Sequence, residues 1–251
     1  ISQLSHDFNK MIRAINMNIR ELKDLADSRK KFIDNLTHEM KTPLTSIIGF
    51  ADILRSARTV DEDARVEYAN AIYDEAIHFK NLSDRLMEMI LLERSQPDLE
   101  RVEMDKFLHE ISSQIIPLLE RRNIQLNIVS ESCIMLIDKE LIKSMVVNLI
   151  DNASKSYTNG GVIELTLKRS GNGKMTLSVR DYGCGIPEDE LNKVIEPFYM
   201  LDKARTRKSG GAGLGLALCK EIASVHKARL TIDSGVGQGI CVTVAFEEDD
   251  L

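Results

Sequence analysis

Phe32-Ile33-Asp34-Asn35-Leu36-Thr37-His38-Glu39-Met40-Lys41-Thr42-Pro43-Leu44 opens a stretch, running on to Leu54, that decides how the first half of the chain folds. Counted in heptads from Ile1, one seam position takes Ile1, Phe8, Ile15, Leu22 and Leu36. The other takes Leu4, Met11, Leu25 and Phe32, and only Asn18 and Arg29 interrupt the two rows with polar side chains. Such a repeat predicts a long helix with an apolar seam. His38 falls two residues past the seam residue Leu36, on an outward face. Thr42 shares that face one turn later, and Glu39 follows the histidine at once. Pro43 has no N–H for the Glu39 carbonyl, so a bend is expected just after the histidine. An imidazole, a carboxylate and a hydroxyl beside a bend have the makings of a reaction site. A zinc-protease motif does not fit, since that needs a second histidine where Thr42 stands.

Working outward, residues 1 to about 57 read as this one helix, and Ser56 to Asp63 as a polar turn. Ile72, Ala76, Phe79, Leu82, Leu86, Met89 and Ile90 then recur at spacings of three and four, which predicts a second amphipathic helix. Two such helices joined by a short turn form a hairpin whose apolar stripes need further cover. A second copy completing a four-helix bundle supplies it, so a homodimer is expected. Ser95-Gln96-Pro97-Asp98 reads as the linker to the second half of the chain, because Pro97 stops a helix.

The chain has 251 residues, 43% of them hydrophobic, enough for one or two domains with a sizeable core. A net charge of −6 and the absence of a concentrated basic block argue against nucleic acid as a partner. Four scattered cysteines without CxxC pairing fit a reduced, cytoplasmic setting better than a disulfide framework or a zinc site. No apolar run approaches the roughly 20 residues that span a bilayer. The chain starts inside a heptad pattern, so we expect a piece of something longer.

Beyond Pro97 the pattern turns to mixed helix and strand. Met104–Arg122 reads as a helix with Asp105 as its N-cap, and Lys139–Ser156 as another. Ile124–Val129, Ile134–Ile137, Arg229–Ser234 and Gly239–Phe246 read as strands, and Val162–Arg169 with Lys174–Asp181 as a hairpin. A last helix is expected over Leu214–His226. The turn Ser170-Gly171-Asn172-Gly173 precedes Lys174, but Met175 stands where a P-loop needs Ser or Thr.

Asn148 and Asn152 are spaced i, i+4, with Lys155 three further on. Two amide oxygens and an ammonium on one helical face suit a hydrated divalent cation and a phosphate. Asp181-Tyr182-Gly183-Cys184-Gly185-Ile186 closes a strand with a carboxylate that can accept from an exocyclic amine, and with glycines that let backbone approach a flat ring. Gly210-Gly211-Ala212-Gly213-Leu214-Gly215-Leu216 leads into a helix, where free N–H groups and the dipole favour phosphate. Between them Glu196-Pro197-Phe198-Tyr199 precedes a basic segment with Lys203, Arg205, Arg207 and Lys208, laid out like a lid over phosphates.

Taken together and in this order, these stretches resemble the sensor histidine kinases of two-component systems. HEMKTPL is similar to that family's H-box, NLIDNASK to its N-box, DYGCGI and GGAGLGL to its two glycine boxes, and EPFY to its F-box. The resemblance implies an α-helical hairpin that dimerises into a four-helix bundle, followed by an α/β two-layer sandwich of the Bergerat (GHKL) ATP-binding fold. Residues 1–25 would be the end of a HAMP signalling helix, 26–96 the dimerisation and phosphotransfer domain, and 97–251 the catalytic domain. It further implies ATP and Mg²⁺, with His38 as phosphoacceptor, Glu39 as base and Thr42 placing a water for phosphatase action. Asn148 would bind Mg²⁺. Asn152, Lys155, Tyr157, Asp181, Gly183, Gly185, Lys203, Arg205, Gly211, Gly213, Leu214 and Gly215 would contact the nucleotide. A response-regulator receiver domain would be the partner, and the chain the cytoplasmic portion of a bacterial membrane receptor. Two positions depart from the family's commoner pattern. Ser156 replaces an aromatic that often follows the N-box lysine, and Met200 stands where many relatives carry a lid arginine. A related ATPase or serine/threonine kinase, and a non-catalytic scaffold, are the rival readings.

Overall fold

The computed structural model describes residues 2–56, 61–92, 96–157, 159–170, 174–201 and 213–246, apart from the side chains of 2–9, 14, 21, 24 and 25. The chain forms two compact units, Ile1–Phe79 and Lys80–Leu251.

In the first unit α1 (Ser2–Ser56) continues as helix through Pro43. Hydroxyls on either side bond back along the helix, Thr37 to Ile33 O at 2.9 Å, Thr42 to His38 O at 3.2 Å and Thr45 to Lys41 O at 2.8 Å. Such bonds supply donors around the position where proline withholds one. α2 (Glu62–Leu92) opens with Glu62 and Asp63, which suit the positive end of its dipole. The two helices meet where Phe50 stacks on Tyr68, ring centroids 5.7 Å apart and planes 24° from parallel. The connection at 57–60 and the seam residues Ile1, Leu4, Phe8 and Leu25 lie outside the described residues and side chains.

The second unit begins inside α2, at Lys80, so the last turns of that helix pack with the downstream elements. Leu92 joins their core, and Met89 packs against it. The remaining elements are β1 (Glu100–Glu103), α3 (Met104–Glu120), β2 (Ile124–Ser130), β3 (Ile134–Ile137), α4 (Lys139–Lys155), β4 (Gly161–Arg169), β5 (Met175–Asp181), α5 (Gly215–Val225), β6 (Arg229–Gly235) and β7 (Gly239–Ala245), with a 3-10 turn at Glu188–Glu190. Five strands form one sheet in the order β2-β4-β5-β7-β6, and β1 pairs with β3 apart from it. Among the described strands only β2 and β4 run parallel, which the intervening α4 crossover permits; β4–β5 and β6–β7 are hairpins.

Ile163, Leu165, Leu167, Leu177, Val179, Val242 and Val244 are buried at alternate positions and form one wall of the core. Helices α3, α4 and α5 lie against the sheet, which gives the expected two-layer sandwich. Asp138 caps α4, accepting from Leu141 N–H at 3.1 Å. Its own N–H donates to His226 Nε2 at 3.0 Å, while the buried His226 ring bonds Ile222 O through Nδ1. One neutral tautomer satisfies both contacts and ties the end of α5 to the start of α4.

One local expectation is corrected. The residue before α3 is Glu103, in extended conformation and without a side-chain cap, and Asp105 lies inside the first turn with Oδ1 buried and unpartnered. The cause is β1, which sequence patterning did not reveal. It pairs with β3 through Glu103 and delivers the chain directly into the helix, so Met104 N–H bonds Cys133 O at 3.0 Å instead.

Candidate functional site

On α1 the His38 side chain is exposed, while the next residue, Glu39, is 7% exposed. A step of about 100° per residue separates the two faces, so the imidazole is open to approach from solvent and the carboxylate is sheltered. The Thr42 hydroxyl proton is directed to His38 O, leaving its oxygen lone pairs outward. No hydrogen bond joins the His38 ring to another described residue.

In the second unit α4 carries the asparagine pair. Asn148, only 8% exposed, commits Nδ2 to Ser144 O at 2.9 Å, with Ser144 Oγ at 3.4 Å. Its Oδ1 is therefore the end of the amide left for another partner. Asn152 Nδ2 is buried with no partner. A methyl group placed on Gly215 would lie 3.0 Å from Asn152 Nδ2, 3.3 Å from its Oδ1 and 3.4 Å from Asn148 Oδ1. Both amides thus converge on the first residue of α5. Lys155 Nζ bonds Asp151 Oδ2 at 2.7 Å.

Asp181 ends β5 at 3% exposure. Burial pushes its carboxyl above the ordinary value, against hydrogen bonds from Gly183 N–H, the Ser156 hydroxyl and Ile240 N–H and against the charge of Arg180. The Gly183 N–H···Oδ1 distance is 2.8 Å, and a Cβ on Gly183 would collide with Ser156. Its loop is pinned to the β6–β7 turn: Ile186 N–H donates to Ser234 Oγ at 2.8 Å, and Gly237 N–H to Cys184 O at 2.8 Å. Gly185 has φ +69°, a conformation that favours glycine.

Phe198 and Gly213 flank the expected lid, and Phe198 N–H donates to Gly213 O. Leu214 is fully buried and Gly215 begins α5. Gly211, Lys203, Arg205, Arg207 and Lys208 lie outside the described residues. Tyr157 sets its hydroxyl between Val162 O at 2.6 Å and Tyr182 N–H at 2.7 Å, bracing the start of β4 against the loop after β5.

The second unit thus gathers Asn148, Asn152 and Gly215 at one point, and Asp181 with Gly183 at another. Sequence reading missed Ser144, and noted Ser156 only as a departure from the family pattern, not as a partner of Asp181. Ser144 stands four residues before Asn148, a spacing that signals contact on a helix. Ser156 had no such signal, since its partner Asp181 is 25 positions away.

The donors fit a nucleotide with its cation. A buried amide N–H without a partner suits a phosphate oxygen, a carboxamide oxygen turned outward suits Mg²⁺, and both face a helix start free of any Cβ. Among the described residues no cluster of three His, Cys, Asp or Glu could hold a metal, so a cation here would rest on the amide, on phosphate and on water.

Two family models match the chain, one in each half. Residues 28–95 match the family model of the His Kinase A (phospho-acceptor) domain. Residues 137–250 match that of the histidine kinase-, DNA gyrase B- and HSP90-like ATPases. Sensor histidine kinase YkoH of Bacillus subtilis is 35% identical over 91% of this chain and 50% of its own length. Sensor protein kinase WalK of Staphylococcus saprophyticus is 28% identical over 93% of this chain and 39% of its own. The chain therefore spans about half, or less, of the curated relatives it matches. A crystal structure of histidine kinase ThkA in complex with response regulator protein TrrA has a TM-score of 0.71 at 20% identity, covering 86% of this chain and 60% of that one, a likeness of fold.

Proposed function

We propose, for a chain that belongs to the sensor histidine kinases, that it phosphorylates His38 from ATP and passes the phosphoryl group to an aspartate of a response regulator. The observation that carries this reading is the buried Asn152 Nδ2, a donor without a partner that suits an anionic ligand, beside Asn148 Oδ1 and Gly215.

In this reading the adenine amine donates to Asp181, while Gly183 and Gly185 let the ring lie close to the backbone. Asn152, Lys155, Gly211, Gly213, Leu214 and Gly215 hold the phosphates, with Lys203 and Arg205 contributing from the lid and Tyr157 bracing the base end. Asn148 Oδ1 holds Mg²⁺, which when bound neutralises charge on the terminal phosphates. Phosphoryl transfer asks mainly for position and charge neutralisation, so no P-loop is needed.

A lone pair on one His38 ring nitrogen forms the P–N bond as the bond from the γ-phosphorus to its bridging oxygen breaks, and ADP leaves with that electron pair. Glu39 takes the proton from the other ring nitrogen. The regulator's aspartate later accepts the phosphoryl group, and Thr42 positions the water that hydrolyses the resulting acyl phosphate.

The first unit is read as one half of a homodimeric four-helix bundle. Ile33, Leu44, Ile48, Val66 and Tyr73 are all more than 40% exposed in the single chain, an apolar surface that a second copy would cover. No helix among the described residues is long and apolar enough to cross a membrane. From its likeness to sensor kinases we place the chain in the cytoplasmic portion of a bacterial membrane receptor.

Incubation with γ-labelled ATP and Mg²⁺ tests the reading. An acid-labile, base-stable phosphoprotein is expected, lost in His38→Ala and in Asn148→Ala. Undiminished labelling of His38→Ala would overturn the assignment.

A further inference from the structure

The last turns of α2 grip the one face of α4 that carries the cation ligand. Ser144 Oγ donates to Glu88 Oε1 at 2.5 Å, and Arg85 lies 3.4 Å from Asp151 Oδ2, the oxygen that also binds Lys155. Arg85 and Glu88 are one turn apart on α2. Ser144, Asn148, Asp151 and Lys155 follow one another at spacings of four, three and four on α4, so they form a single stripe. Asn148 sits midway between the two points of grip.

We propose that Glu88 is a positioning residue for Asn148, acting through Ser144. The hydroxyl of Ser144 has one proton. With that proton drawn to Glu88, a lone pair of Oγ is left toward Asn148 Nδ2, 3.4 Å away, adding to the 2.9 Å bond from Nδ2 to Ser144 O. A carboxamide that is free to turn presents N–H to a cation half of the time, and N–H repels it. Fixing Nδ2 on the Ser144 side keeps Oδ1 on the Gly215 side, where the cation is needed. Glu88 touches neither nucleotide nor metal. It stands on α2, the helix that also forms half of the hairpin, so a rotation of α2 would move the carboxylate that sets the ligand's aim. This inference rests on the reading of Asn148 as the Mg²⁺ ligand.

The test uses the full chain and titrates ADP calorimetrically, once with Mg²⁺ and once with excess EDTA. In Glu88→Ala and Ser144→Ala, affinity with Mg²⁺ should fall about 5- to 10-fold, the scale of one lost neutral hydrogen bond, while affinity in EDTA stays within about twofold. Glu88→Gln keeps an acceptor for the hydroxyl and should bind like the wild type. Equal losses with and without Mg²⁺, or no loss in either alanine variant, would overturn the proposal. Ser144→Ala leaves the helix intact and reports even where Glu88→Ala lowers stability. Asn148→Ala separates the two levels: if it keeps the full Mg²⁺ enhancement, the metal assignment itself fails, whatever Glu88 does.

Discussion

Phe198 and Gly213 are joined by a main-chain hydrogen bond of 2.8 Å, and both have left-handed backbones, φ +66° and +68°. A phenylalanine in that conformation is strained by about 1–3 kcal/mol, and its 6% exposure shows that packing holds it there. A Cβ at position 213 would come within 2.8 Å of Phe198 C and Tyr199 O, so only glycine allows the approach. Gly213→Ala should therefore lower stability by about 1–3 kcal/mol, because Phe198 and Gly213 no longer meet, and on the proposed reading it should also weaken ADP binding. Thermal unfolding with ADP calorimetry checks this, and an unchanged Tm would contradict it.

Asn152 should show the opposite balance. Its buried, unpaired Nδ2 costs the free domain about 1–3 kcal/mol, so Asn152→Ala should leave the melting temperature unchanged or raise it. Nucleotide affinity should nevertheless drop, by about tenfold, as the phosphate loses a donor. A variant that melts lower yet binds ADP as before would show that the amide serves the fold.

On the proposed reading, Asp181 sets the acid limit of ADP binding. Its carboxyl is raised above 3.8 chiefly by burial, and the adenine amine needs an ionised acceptor. Affinity is thus complete above the raised value and is lost as pH falls through it. The folded chain holds this proton more tightly than the unfolded one, so between 3.8 and the raised value stability declines as pH rises. A carboxyl NMR titration of Asp181 run beside ADP binding should give coincident midpoints above 3.8. A midpoint at or below that value would count against the role of burial.

The cysteines should differ in reactivity. Cys184 is exposed in the first glycine-rich loop, whereas Cys219 is fully buried on α5 and its thiol is pushed far up by burial. Alkylation of the native protein should modify Cys184 first and leave Cys219 untouched until denaturant is added. Early labelling of Cys219, read by peptide mass spectrometry, would mean that α5 is not packed as described.

Most of the fold was legible in the sequence because its elements carry their own periodicity. The 3.6-residue stripe of α4 and the alternation along β4 and β5 depend on neighbours only one to four positions away. The Asn148–Asn152 pair was legible for the same reason, since i, i+4 residues on a helix share a face whatever surrounds them. β1 was not legible. Glu100-Arg101-Val102-Glu103 has one buried apolar side chain and becomes a strand only because β3 lies beside it. That pairing also displaced the expected cap from Asp105.

Sequence alone determined which segments coil or extend and which of their faces carry amides, glycines and the histidine, because such properties follow from local sterics and spacing. Only the tertiary structure decided the partners: Glu88 for Ser144 across 56 positions, Ser156 for Asp181 across 25, Phe198 for Gly213 across 15. A hydrogen bond falls off within a few tenths of an ångström. Its partner is therefore chosen by the packing of α2, α4 and the sheet around one core, and no count along the chain contains that distance.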